Sequence, residues 1–394
     1  AVCSIVRPSL KASATATTLT LQPSVMNTTK SLGYCDLASA VAGATAGDNI
    51  QLLADITIPA TVTVDKALSL DLNGKVASYP QTDNSFVLRV DGASASLTIN
   101  DTSDPDTGAI RAIDVDNAWE GRGINVLNGG SLIVNGGSIQ GEYASVYVRA
   151  GSSMVLNGGT IGGVNGTIEY SGIVILGNGT PGSAALTVNG GVIDSYDFAI
   201  SGNGTAGYTG TSIQINAGTI TADATALYLP QDGVVNIAGG TITAPTAIEV
   251  KSGDLNVSGG TITGTGPYVA TPSLVAGYST DTGDAIFITS QTGYAGGINV
   301  NITGGTIQST NSWAMREYYL STQDFKVDKI SVSNGTFTGG AGAVTFSSQL
   351  ASGGLTDLAL TGGLYNTDPA YPDVFVFVPY GTIPEGSMYR IVGI

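Results

Sequence analysis

One phrase of apolar and polar positions recurs along the chain: apolar, any residue, apolar, a small polar residue, Gly-Gly, Thr, Ile. It reads Leu132-Ile133-Val134-Asn135-Gly136-Gly137-Ser138-Ile139 and returns, with small variations, over Val155–Ile161, Leu186–Ile193, Ile213–Ile220 and Val235–Ile242. Four more copies follow at Leu255–Ile262, Val300–Ile307, Ile330–Phe337 and Leu358–Tyr365. The last glycine of each phrase falls at 137, 159, 191, 218, 240, 260, 305, 335 and 363, steps of 20 to 45 residues. A constant phrase at a variable period predicts coils of fixed core joined by loops of changing length.

A second phrase sits upstream in each coil and alternates with period two, as in Gly123-Ile124-Asn125-Val126, Val146-Tyr147-Val148, Ile173-Val174-Ile175, Leu227-Tyr228-Leu229, Ile248-Glu249-Val250, Ile286-Phe287-Ile288 and Val344-Thr345-Phe346. Alternation sends the aliphatic residues to one face and varied residues to the other. Two short strands and a stub around Thr-Ile make one rung. A rung cannot bury its inner residues alone, so neighbours stack at about 4.8 Å, and about eleven rungs give a rod of roughly 50 Å. Asn135, Asn157, Asn189 and Asn216 occupy one turn position in four successive coils, where Asn tolerates the left-handed backbone and stacked amides can bond along the axis; Ala238 and Ser258 then take that place.

These coils resemble the pectin-lyase-like right-handed parallel β-helix superfamily, and are especially similar to Gly-Gly-Thr-Ile repeat surface proteins of gut bacteria and their phages. Asp48-Asn49-Ile50-Gln51-Leu52-Leu53-Ala54-Asp55 with Leu70-Asp71-Leu72-Asn73-Gly74 is similar to their opening, and Gly362 to Tyr371 to their last coil. The resemblance covers about residues 36–370. It implies an all-β chain folded as a right-handed single-stranded parallel β-helix, a solenoid of about eleven coils. It does not imply an activity, since lyases, hydrolases, tailspikes and adhesins share the architecture.

Three parts are expected. Residues 1–35 form an N-terminal arm that folds back on its own rod, the favoured reading, or pairs with a neighbour; residues 36–370 form the β-helix; residues 371–394 form a C-terminal cap or docking tail. A short capping helix spans 36–46 with Asp36 as its N-cap. Val374-Phe375-Val376-Phe377-Val378 is apolar on both faces, so it either seals the last coil or docks on another subunit. Two insertions, 263–284 and 309–327, carry Tyr268, Tyr278, Trp313, Tyr318 and Tyr319, expected on loops where aromatic rings can stack on sugars, anchor a partner or cover the wall. The outward column of Tyr147, Val174, Tyr228, Glu249 and Phe287 is unusually apolar for a solvent face, a candidate lateral contact with a subunit or a glycan.

Composition narrows the function. The chain has 394 residues, 42% hydrophobic and 11% charged, with 56 Gly and a net charge of −16. Fourteen Lys and Arg against 30 Asp and Glu give no electrostatic footprint for nucleic acid or anionic membrane. No apolar run reaches the roughly 18 residues of a membrane span. The start at Ala1-Val2-Cys3 suits a removed leader or trimming. Cys3 and Cys35 are the only cysteines, a disulfide candidate in an oxidising compartment and otherwise two buried thiols.

The sequence has no His, the commonest acid–base side chain and zinc ligand. Polygalacturonases of this architecture need Asn-Thr-Asp, Asp-Asp, Gly-His-Gly and Arg-Ile-Lys in order; only Asn366-Thr367-Asp368 occurs, at the wrong end. Pectate lyases place an Arg or Lys base beside calcium-holding carboxylates, whereas Arg149 and Lys251 lie on outward strand positions near one carboxylate each at most, Glu142 and Glu249. A glycosidase needs two carboxylates about 5 to 9.5 Å apart. Asp194 with Asp197, and Asp223 one rung on, are the candidates; Asp114-Val-Asp116 with Glu120 and Arg122 is a second group. Acidic turn residues are the cheaper account of both. Asp101, Asp104 and Asp106 before Gly108 resemble part of a calcium loop without its full spacing, so structural calcium is the one cofactor left open. Thr219-Ile-Thr221, Thr241-Ile-Thr243 and Thr261-Ile-Thr263 stack like a short ice-binding face, although Thr is also simply a good strand residue.

The reading is a non-catalytic structural or adhesive β-helix at a cell or virion surface, with self-association and a glycan or host-surface ligand as the expected partners. The alternative is a polysaccharide-degrading enzyme or tailspike.

Overall fold

The computed structural model describes residues 22–115, 121–162, 170–274, 277–320, 322–347, 355, 357–370, 375–376 and 379–394. Three long sheets, here the first, second and third walls, hold 14, 14 and 11 strands. From Asp48–Leu52 to Leu364–Tyr365 the chain visits them in rotation, first, second, third and back to the first. Each strand pairs in parallel with the one three places on, as Ser131–Val134 does with Ser153–Leu156. The fold is therefore all-β with long, mostly parallel sheets, compatible with a parallel β-helix.

Stacking of the repeated phrase explains the core. On the second wall Ile139, Ile161, Ile193, Ile220, Ile242, Ile262 and Ile307 lie in register on successive strands, and all are buried. Phe337 and Tyr365 end the column with rings stacked 4.9 Å apart. The Gly-Gly turn follows from the same stacking. A Cβ on Gly158 would stand 2.5 Å from the carbonyl oxygen of Asn135 one rung back, and Gly159 adopts φ +77°, the left-handed region. The asparagine ladder forms as expected and starts one rung earlier. Asn135 donates to Asn100, Asn157 to Asn135, Asn189 to Asn157 and Asn216 to Asn189, at 2.8 to 3.0 Å.

Antiparallel hairpins extend two walls at opposite ends. Val25–Asn27 pairs with both Leu32–Tyr34 and Asp48–Leu52 on the first wall, so the described part of the arm folds back. Asp48 ties it down, accepting from the Asn27 amide at 2.7 Å and pairing with Lys30 at 3.0 Å. The helix is Leu37–Gly43, shorter than 36–46; Asp36 caps it, accepting from the Ser39 N–H at 2.6 Å. It buries Leu37, Ala40 and Val41. At the other end Met388–Gly393 pairs with Leu364–Tyr365 and with Tyr380–Glu385 on the second wall. That outermost strand carries Pro384 and Glu385, residues that discourage further pairing. Phe375 is buried edge-on to Phe346, 5.0 Å between ring centres, in the sense of a seal; Val374 and Phe377 lie outside the described residues. Cys35 is disulfide-bonded, and Cys3 also lies outside the described residues.

Two expected loop boundaries are corrected. Thr261–Gly264 is a second-wall strand, so that insertion starts after Gly264. Trp313–Glu317 is a third-wall strand, so Trp313 is not on a loop. Glu317 breaks the alternation that marks the neighbouring strands by continuing the inward register of Ile288 and Phe346, while Arg316 points outward under a cover.

Candidate functional site

The outward column of the third wall runs Arg89, Asn125, Tyr147, Val174, Ser201, then Tyr228, Glu249, Phe287 and Arg316. The expectation that its aromatic members face solvent is corrected. Tyr228 is 3% exposed and Phe287 0%. The strap that covers them is the insertion itself. Thr280 N–H donates to Glu249 at 2.9 Å, and Lys251 donates to the Tyr278 carbonyl at 2.8 Å while pairing with Glu249 at 3.3 Å. Arg316 pairs with Asp284 at 2.7 Å and reaches the Val269 carbonyl at 2.9 Å. Its guanidinium lies over the rings of Tyr268, Phe287 and Tyr318 at 5.3 to 5.9 Å. Tyr228 and Tyr294 share a hydroxyl contact at 3.0 Å, and Tyr294 also accepts from the Gly277 N–H. Burial pushes the Glu249 and Asp284 carboxyls up, against the pull of Lys251 and Arg316 respectively. Tyr319 packs edge-on to Phe325. Most of the aromatic residues expected to bind thus roof or line a closed wall, because a wall with apolar outward residues buries more surface when its own loop lies across it.

The corner between the second and third walls stays half open. Each third-wall strand is entered through one corner position, filled by Tyr143, Tyr170 and Asp197 on successive rungs; Ser171 donates to the Tyr143 carbonyl and Phe198 to that of Tyr170. The Tyr143 and Tyr170 rings stack 5.7 Å apart, and Tyr170 is 36% exposed. Tyr196 and Tyr278 are also exposed, and Tyr278 and Asp197 lie close enough to help hold the Tyr170 hydroxyl protonated, after burial. The Arg122 guanidinium sits 4.8 Å over the Tyr143 ring and 5.8 Å from Tyr147; Arg149 sits 5.0 Å over Tyr147. Burial pushes the Tyr147 phenol up to about 12, in spite of the two guanidiniums. Phe86 packs edge-on to Tyr147 at 5.6 Å.

The carboxylate candidates separate. Asp194 stands on the outer face of the second wall and accepts from Thr221 at 2.6 Å. Asp197 lies at the corner, its pKa raised by burial. Asp223 is exposed, its N–H donating to the Ser195 and Tyr196 carbonyls. Glu142, the carboxylate expected near Arg149, precedes Tyr143 and is raised by burial, against a hydrogen bond with the Asp114 backbone. Asp101 and Asp106 face each other, Asp101 accepting from the Gly74 and Gly108 N–H groups and Asp106 from Gly137. Among the described residues no group of three or more His, Cys, Asp or Glu could hold a metal ion.

The arginines were legible as a pattern. Between Lys75 and Lys251 the sequence holds only four cations, Arg89, Arg111, Arg122 and Arg149. None forms an ion pair among the described residues, whereas Lys30, Lys66, Lys251, Arg316, Lys329 and Arg390 do.

Fold and corner together define an all-β protein of long parallel sheets with an aromatic, cationic strip along one edge. Comparison with protein-family models, with curated proteins and with solved structures finds no match to this chain. Among the described residues no helix is long and apolar enough to cross a membrane.

Proposed function

We propose that the chain is a non-catalytic, surface-displayed structural and adhesive protein: a right-handed parallel β-helix of about eleven coils, of pectin-lyase-like architecture, that binds glycans along one corner. The observation that carries the adhesive reading is the Tyr143–Tyr170 stack, left half open while neighbouring aromatics are roofed. Tyrosine rings offer flat, apolar faces with a polar tip at low entropic cost, suited to a sugar ring. The disulfide at Cys35 supports an oxidising, extracellular setting. A glycan-binding panel on the intact chain tests the reading: retention of at least one glycan class, lost in Tyr170→Ala, is expected. No retention of any glycan would overturn it.

Assembly with copies of itself belongs to the same proposal. Light scattering that shows a monodisperse monomer at high concentration removes it and leaves adhesion standing.

A second reading, a polysaccharide-degrading enzyme, has one observation in its favour. Glu142 and Asp197, both raised by burial, lie beside the stacked tyrosines. Release of reducing or unsaturated ends from a polysaccharide, lost in Asp197→Asn, would establish it instead.

A further inference from the structure

We infer that Asn334 is a self-modifying position of the folded chain, an asparagine that converts to aspartate and isoaspartate without an enzyme. The fold shields the other described Asn-Gly pairs from the same chemistry.

Asparagine is a labile residue, and water is the one co-reactant needed. The Gly335 backbone nitrogen attacks the Asn334 Cγ. An N–Cγ bond forms, the Cγ–Nδ2 bond breaks, and Nδ2 leaves as ammonia with the proton of the Gly335 N–H. Water then opens the cyclic imide at either carbonyl, giving aspartate or isoaspartate and one new negative charge. Two conditions favour the attack: a side-chain amide free to turn toward the next residue, and a following N–H that no acceptor holds. Glycine at the following position adds no Cβ to shield its nitrogen.

The sequence holds nine Asn-Gly pairs, all but that at Asn165 lying among the described residues. By sequence they are alike, and the structure sorts them. After Asn73, Asn128 and Asn178 the glycine N–H is engaged, donating to Asp101 at 2.7 Å, to Ser152 at 3.3 Å and to the Thr209 carbonyl at 2.9 Å. At Asn135, Asn157 and Asn189 the ladder holds both ends of the amide, each donating to one neighbour and accepting from the next at 2.8 to 3.0 Å. Asn203 keeps its carbonyl in a turn, accepting from the Thr205 N–H at 2.9 Å. Asn334 has neither restraint. Its amide and the Gly335 N–H make no hydrogen bond among the described residues.

Its place in the stack explains why. Asn334 stands where the copies before and after it carry the first glycine of Gly-Gly. A Cβ on Gly304 would lie 2.4 Å from the Ser258 carbonyl oxygen, and one on Gly362 2.1 Å from that of Ser333. A side chain in this column is therefore turned away from the stack, and Asn334 is exposed. The ladder position itself, one residue earlier, is Ser333, so no column of amides is there to hold Asn334. An isoaspartyl link would add a methylene to the main chain between the strands Val327–Val332 and Thr336–Gly339, at a turn packed by backbone contact.

The intact folded chain is incubated at neutral and at mildly alkaline pH, digested with pepsin in acid, and each Asn-Gly peptide is followed by mass spectrometry. A parallel sample is kept in urea. In the folded chain Asn334 should convert at least about tenfold faster than Asn157, whose amide must first break two ladder bonds. Both rates should rise with pH, since the attacking nitrogen must lose its proton. In urea the two sites should convert alike. Asn189→Ala removes the donor to the Asn157 carbonyl, so it should speed conversion at Asn157 and leave Asn334 unchanged. Conversion of Asn157 as fast as Asn334 in the folded chain, or of neither while both react in urea, overturns the inference. An Asn157 rate unmoved by Asn189→Ala overturns the protection assigned to the ladder.

Discussion

Arg316 and Asp284 face each other at 2.7 Å beneath the strap, the guanidinium on an outward strand position and the carboxylate at the strap's own end. Asp284 also accepts from the Ser312 hydroxyl and from the Trp313 N–H at 3.1 Å. One carboxylate thus joins the insertion to the third wall through three donors.

Asp284→Ala should therefore destabilise the chain by about 3–5 kcal/mol, because it strands a buried guanidinium and orphans two further donors. Urea denaturation measures the loss. The double variant Asp284→Leu with Arg316→Met should recover part of it, since removing both charges ends the desolvation cost while Ser312 and Trp313 stay unpaired.

The ladder makes a milder prediction. Asn157 both donates to Asn135 at 2.9 Å and accepts from Asn189 at 3.0 Å. Asn157→Ala should cost roughly 1–2 kcal/mol, two exposed amide bonds at the low end of their net worth. A cost near zero in chemical denaturation would mean that the amides are equally well solvated without the ladder.

At the neighbouring turn, Gly158→Ala and Gly159→Ala should destabilise by different routes. The first drives a methyl into the Asn135 carbonyl, and the second forces a side chain into the left-handed region, each costing about 1–3 kcal/mol. Thermal melting of the two single variants checks this, and Ala at an exposed strand position such as Thr219 serves as a near-neutral control.

The arm should respond to acid. The Thr45 N–H, then the Asn27 amide and Lys30, hold the Asp48 carboxyl well below the usual carboxylate range. A depressed folded-state pKa gives stability that is present above the unfolded value of about 3.9 and lost as pH falls through the folded value. Hydrogen exchange at Val25–Asn27 should accelerate as pH is lowered below about 4, after correction for intrinsic rates, and Asp48→Asn should flatten that dependence.

The strands with clean alternation were legible from the chain: every Gly-Gly phrase and every aliphatic couplet of the third wall lies where its pattern put it. Trp313–Glu317 escaped because Glu317 takes an inward position that Ile288 and Phe346 fill on the neighbouring strands, which breaks the apolar alternation by which the other strands were read. The tyrosine corner escaped for another reason. Tyr143, Tyr170 and Asp197 are separated by 27 residues each, and nothing local marks them as neighbours. Tyr228 and Phe287 were recognised as an outward column, yet outward proved not to mean exposed.

The sequence by itself determined the all-β character and the parallel stacking of its strands, since inward aliphatic residues alternate at period two and glycines sit at turns where a Cβ would meet the neighbouring backbone. It also determined the scarcity of cations and their confinement to a few rungs. Tertiary structure alone decided which outward residues meet water. That depends on where a loop of some twenty residues lies down, and the path of that loop is set by buried partners, Glu249, Lys251 and Arg316, which belong to other rungs.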